Sequence, residues 1–136
     1  MTPFDKKKHR DFHYHPTSQY EFAKTDTICP ILASEVAHLI NISPLVFVKN
    51  GNSDSFGFFK LLSYGPKENR FVNENGKWLA DYIPAYYRTY PFKLVTTNET
   101  ENPILCFNEA SGLISENHSE SSIPLFEKDG TPSKQF

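Results

Sequence analysis

Leu45-Val46-Phe47-Val48-Lys49-Asn50-Gly51-Asn52-Ser53-Asp54-Ser55-Phe56-Gly57-Phe58-Phe59-Lys60-Leu61-Leu62 consists of two apolar, β-branched and aromatic runs around a polar centre. The centre holds Asn50-Gly51, a dipeptide suited to the left-handed backbone positions of a tight hairpin turn. The pattern predicts a β-hairpin over about 45–62. Both runs are apolar enough to be covered on at least one face. Gly57, inside the second run, marks a bulge or a close backbone approach.

Upstream, Ala33-Ser34-Glu35-Val36-Ala37-His38-Leu39-Ile40 predicts a short helix over about 33–41. Leu32, Val36, Leu39 and Ile40 recur at helical spacing, and Ser34 or the residue before it caps the start. Asn41 and Pro44 stop it. His38, beside the apolar face, reads as a packing residue.

Downstream, Gly76–Phe92 holds the only tryptophan, Trp78, and four of the seven tyrosines. Pro84 and Pro91 bias the residues before them toward extended backbone, and Ala85–Thr89 is long enough for one helical turn. The segment predicts an aromatic corner of the core. Arg88, among the rings, is placed to stack on one and to donate to buried carbonyls or to a carboxylate such as Asp81.

Shorter strands are expected around Asp11–His15, Thr27–Leu32, Phe71–Val72, Phe92–Val95 and Pro103–Phe107. Polar Thr96–Asn102 joins the last two, and Tyr64–Lys67 makes a turn. The expected fold class is α+β. It has a mainly antiparallel β-sheet around the 45–62 hairpin, one short helix at 33–41 and the 76–92 corner packed against it. The expected domain organisation is a basic flexible tail over 1–10 and a single α+β domain over 11–110. A polar loop and extended tail follow over 111–136, ahead of further helices.

Composition narrows the function classes. Aromatics make up 15% of the 136 residues, so the core must rely on Phe and Tyr more than on aliphatics. Net charge is −2, with acids and bases interspersed. That leaves no basic footprint for nucleic acid beyond Lys6-Lys7-Lys8-His9-Arg10, which reads as a solvated tail in preference to a phosphate or membrane contact. Cys29 and Cys106 stand far apart in apolar surroundings and read as buried free thiols, a single disulfide between them being the alternative. With no secretory signal and no run of ~18 apolar residues, the default compartment is the cytoplasm, signal-independent export to the surface staying open.

Reactive motifs are scarce. The 76–92 corner holds no evident nucleophile or general base, so the sequence leans against an enzyme. If the corner lines a pocket, Trp78, Tyr82, Tyr86, Arg88 and Tyr90 are the binding residues, Arg88 holding an anion or a peptide carboxylate. His13 and His15 lie two apart on one strand face and form a weak metal-ligand pair; solvent-facing histidines are the preferred reading, and no cofactor is expected.

Several segments, in order, resemble the SapC family of bacterial proteins, named for a surface-layer-associated locus. They include Tyr20-Glu21-Phe22-Ala23, Pro30-Ile31-Leu32-Ala33-Ser34-Glu35, Pro44-Leu45-Val46-Phe47 and Glu68-Asn69-Arg70-Phe71-Val72. Gly76-Lys77-Trp78 follows, then Tyr82–Phe92 and Leu125-Phe126-Glu127-Lys128-Asp129-Gly130. The Ile83-Pro84-Ala85…Arg88…Tyr90-Pro91-Phe92 element is the most specific. The family pattern often doubles the arginine where this chain has Arg88-Thr89. Members are typically longer, which makes this chain resemble an amino-terminal portion. The resemblance implies a bacterial source and a link to surface-layer or envelope biology, and supplies no catalytic residues; the first reading is a non-enzymatic accessory or interaction protein with a protein partner in that system. The alternative is a small-ligand binder or enzyme subunit working through the Arg88 corner.

Overall fold

The computed structural model describes residues 1–65, 67–96 and 102–135. Most of the polar link expected at Thr96–Asn102, and Pro66 of the Tyr64–Lys67 turn, lie outside the described residues. In chain order the strands are β1 Thr2–Pro3, β2 His13–Tyr14, β3 Ile28–Pro30, β4 Leu45–Lys49, β5 Phe56–Leu61, β6 Phe92–Val95, β7 Ile104–Phe107, β8 Ile114–Ser115 and β9 Ile123–Pro124. The helical turns are α1 Val36–Leu39 and α2 Ala85–Arg88. The architecture is α+β and its strand pairing antiparallel.

Three small sheets replace the one expected around the hairpin, with strand orders β1-β7-β6, β8-β2-β9 and β3-β5-β4. The physical reason lies after β5. Residues 63–91 carry turns, prolines, the Val72↔Trp78 bridge and α2, so no strand follows directly to widen the hairpin's sheet. Contacts group the chain into two compact units, 18–89, and 1–17 with 90–136.

In unit 18–89, β4 and β5 form the expected hairpin, with Phe47 opposite Phe58 and Lys49 opposite Phe56. Gly51 takes φ +55°, and Asn50 N donates to Ser55 O at 3.0 Å to close the turn. Gly57 leaves room for an aromatic ring: a Cβ there would sit 2.4 Å from the Phe59 ring, a contact only glycine avoids. Ala23, Cys29, Leu62, Val72, Trp78 and Tyr87 form the core. Buried Asn69 knits it to the backbone, donating to Ala23 O at 3.0 Å and accepting from Phe71 N at 3.0 Å.

The helix expected at 33–41 is a 3-10 turn over Ala33–Glu35 continued by α1. Its four apolar residues do not share one buried face. Leu39 is buried, Val36 half-buried, and Leu32 and Ile40 exposed. A tighter 3-10 turn followed by a single α-turn breaks the 3.6-residue repeat on which that face depended. The cap also differs. No side chain at Ser34 or before it caps the start; Glu35 Oε2 reaches back to accept from Leu32 N at 2.9 Å.

In unit 1–17 with 90–136, Phe107, Ile114 and Leu125 form the core, joined by Phe4, Phe12, Tyr14, Phe92 and Phe126. Residues 1–10 and 111–136, read from sequence as a flexible tail and as a polar loop with an extended tail, supply β1, β8 and β9 here.

Candidate functional site

The 76–92 corner is organised by a residue outside it. Glu35 is buried, and its carboxylate collects donors from two elements. Oε2 accepts from Leu32 N at 2.9 Å; Oε1 accepts from Ala85 N at 2.7 Å and from the Tyr82 hydroxyl at 3.0 Å. Pro84 sets up the Ala85 donor, since its extended ψ of 142° turns the chain into α2 with the first amide free. Burial alone would push the Glu35 carboxyl up. The Leu32 and Ala85 amides, the Tyr82 hydroxyl and the Arg88 charge outweigh it and hold it below its ordinary value.

Arg88 leans on this hub. Nη2 donates to the Tyr82 hydroxyl at 3.2 Å and stands 4.0 Å from Glu35 Oε1, while the guanidinium carbon lies 5.3 Å from the Tyr82 ring centre. Its partner is therefore Glu35, and Asp81 plays no part in this ion pair. Glu35 is 53 positions away in sequence, which is why local spacing pointed to Asp81. The Arg88 side chain remains 53% exposed. His38, expected to pack beside an apolar helix face, is exposed and stacks on Tyr82 at 4.6 Å with the planes 2° apart.

Beneath this surface cluster lies a sealed interior. Trp78 packs against Phe71, Tyr20 and Tyr87 and donates from Nε1 to Tyr82 O at 3.0 Å. The Tyr87 hydroxyl donates to Asp26 Oδ2 at 2.8 Å. Burial pushes the Tyr87 hydroxyl far above its ordinary pKa, with nearby Cys29 and Asp26 adding to it. Burial likewise pushes the Cys29 thiol up to about 12. A thiol so shifted is a poor nucleophile at neutral pH. Cys106 is buried as well, and both thiols are free.

Lys60 faces Cys29 across the β3–β5 pair. It is fully buried, and among the described residues Nζ has no hydrogen-bond partner. Nζ lies 3.5 Å from the centre of the Phe71 ring and 5.3 Å from that of Trp78. Burial lowers its pKa to about 8. A lysine set in Phe58-Phe59-Lys60-Leu61-Leu62, opposite a buried cysteine, was the available sequence signal for this inward-facing amine.

The remaining sequence candidates scatter. Tyr86 is exposed, edge-on to Tyr87 at 5.4 Å. Tyr90 falls in the other unit, where Asn108 Nδ2 donates to its hydroxyl at 3.2 Å. So the structure joins Trp78, Tyr82 and Arg88 in one network and leaves Tyr86 and Tyr90 outside it. His13 stands edge-on to His118 at 5.2 Å, while His15 Nε2 pairs with Ser115 Oγ at 3.1 Å. Among the described residues no three His, Cys, Asp or Glu side chains gather as a metal site would require.

A second surface feature lies on the hairpin. Among the described residues β4 pairs only with β5, so its outer edge is free. Phe47, 71% exposed, and Phe56, 61% exposed, share the face that carries Lys60 further along β5. Phe47 stacks on Phe58 at 4.6 Å. Both runs were expected to be covered on at least one face; at this end of the hairpin Phe47 and Phe56 meet solvent instead.

Among the described residues no helix is long and apolar enough to cross a membrane. Neither a curated protein nor a solved structure matches the chain. The family comparison does give a match, to SapC, over residues 4–136. That span takes in the hairpin, the Glu35–Tyr82–Arg88 network and both compact units, and the chain belongs to the SapC family.

Proposed function

We propose that this chain is a non-enzymatic interaction protein of a bacterial surface-layer or envelope system, and that its β4 edge takes up an extended segment of a protein partner. The observation that carries the reading is the free β4 edge flanked by exposed Phe47 and Phe56. An open strand edge offers backbone donors and acceptors, and apolar rings beside it add area that a partner strand can cover. Cys29, Lys60 and Tyr87, whose titration departs furthest from the ordinary, are buried.

A second reading, an anion or peptide-carboxylate site at Arg88, is favoured by the exposed guanidinium above Tyr82. Glu35 at 4.0 Å weakens the field there, which ranks this reading second.

The test is a photo-crosslinker at Val48 in the intact chain, used in the source cell, with the captured protein identified. The expected product is a surface-layer or envelope protein. Phe47→Ser abolishes its capture, and Arg88→Lys leaves capture unchanged. Crosslinking that survives Phe47→Ser, or that Arg88→Lys abolishes, overturns the β4 reading.

A further inference from the structure

The basic cluster near the amino terminus has a fixed seat. His9 is 2% exposed, its ring packed edge-on against Phe107 at 5.0 Å and against Phe12 at 5.3 Å. Its Nδ1 accepts from Asp5 N at 3.0 Å, and its own amide donates to Asp5 O at 2.9 Å. The Asp5 carboxylate accepts from Lys7 N at 2.7 Å and from Lys8 N at 3.2 Å. A buried histidine and a capping aspartate therefore hold the turn, and Lys6, Lys7, Lys8 and Arg10 project from it, exposed.

The Glu127–Thr131 turn lies against this one. Arg10 Nη2 donates to Lys128 O at 3.4 Å. Lys6 crosses Gly130, where a Cβ would come within 2.6 Å of its Cε. Lys128 lies on the turn that Arg10 reaches, the Lys134 amide bonds to Glu127 of the same turn, and both lysines are exposed. The neighbouring carboxylates are engaged by backbone and hydroxyl donors. Asp129 accepts from Thr131 N at 2.9 Å and Oγ1 at 2.7 Å, and Glu127 accepts from Lys134 N at 3.2 Å. Among the described residues none of the six cations has a carboxylate oxygen within 4.0 Å. Residues 5–11 alone carry four cations against two carboxylates, in a chain whose net charge is −2.

We propose that this cationic turn docks the protein on an anionic lipid bilayer. Clustered lysines on a fixed turn meet a planar array of phosphate headgroups as point charges, without needing a particular fork geometry. Nucleic acid fits less well. The turn has a single arginine, already shared with Lys128 O, and the adjacent Phe4 and Phe12 pack into the core and offer no stacking platform. The inference uses residues outside the hairpin and stands independently of the β4 reading.

The experiment is co-sedimentation of the full chain with sucrose-loaded vesicles. One set is phosphatidylcholine alone; the other contains phosphatidylglycerol as well. Binding is expected only to the second set, weakening as salt rises. Lys7→Ala/Lys8→Ala lowers the partition coefficient about thirtyfold, at about fivefold per charge, and Lys128→Ala/Lys134→Ala does much the same. Neither pair changes the melting temperature, because the Asp5 and Glu127 bonds are made by backbone amides. Equal binding to both vesicle sets, no binding to either, or full binding by the double variants overturns the proposal. So does duplex DNA that displaces the protein from anionic vesicles at matched phosphate concentration.

Discussion

Lys60 sets an amine against the faces of Phe71 and Trp78, with no hydrogen-bond partner among the described residues. The rings return part of what the lost hydration costs, and Nζ still titrates at about 8 against an ordinary 10.5. Between those values the unfolded chain holds a proton that the folded chain has released, so stability rises with pH. Cys29 acts in the opposite sense. Its thiol ionises at about 9.0 when unfolded and about 12 when buried, so above 9 the folded state keeps a proton that the unfolded state has lost. Stability is therefore expected to climb from pH 8 to about 9, to level off while the two opposing slopes cancel, and to fall above about 10.5, where Lys60 is deprotonated in both states. Lys60→Met removes the climb and stabilises the protein at pH 7 by on the order of 1–3 kcal/mol, as replacement of an uncompensated buried charge does. Denaturant melts at several pH values check both; a variant less stable than the parent at pH 7 refutes the account.

At the scale of elements, Glu35 fastens α2 to the turn that opens α1. Glu35→Gln keeps the shape and loses an acceptor: one carboxamide oxygen cannot serve the Leu32 and Ala85 amides on opposite sides, and one is left buried without a partner. The expected loss is about 2–3 kcal/mol. The Glu35 carboxyl is held below its ordinary 4.5, so its contribution is complete above that pH and is lost as pH falls through the lowered folded value. The glutamine variant should show a correspondingly flatter acid limb; an acid limb as steep as the parent's rules Glu35 out as its source. The hairpin and the 85–88 turn were legible in the sequence because their signals are local: Asn50-Gly51 between apolar runs, and Pro84 ahead of Ala85. The Glu35–Arg88 tie was not, since it joins residues whose side chains meet only after both turns have formed. β8 and β9 were also illegible. Two-residue strands in a Ser-, Glu- and Asn-rich stretch carry no period, and only pairing with β2 defines them.

For the molecule as a whole, the core of 18–89 draws every buried member from within that span. Expressed alone, residues 18–89 are expected to melt cooperatively and to keep the Trp78 indole shielded from aqueous quenchers. An indole as accessible as in denaturant would show that the span needs the rest of the chain. The other unit is assembled from segments far apart in sequence: Thr2 pairs with Phe107, and His13 with both Ser115 and Pro124. During synthesis, then, residues 1–17 wait for their β-partners beyond residue 90 while the intervening span can already collapse. A chaperone bound to the nascent chain has most to protect at Phe4, Phe12 and Tyr14, the rings whose hydrophobic company comes mostly from beyond residue 90.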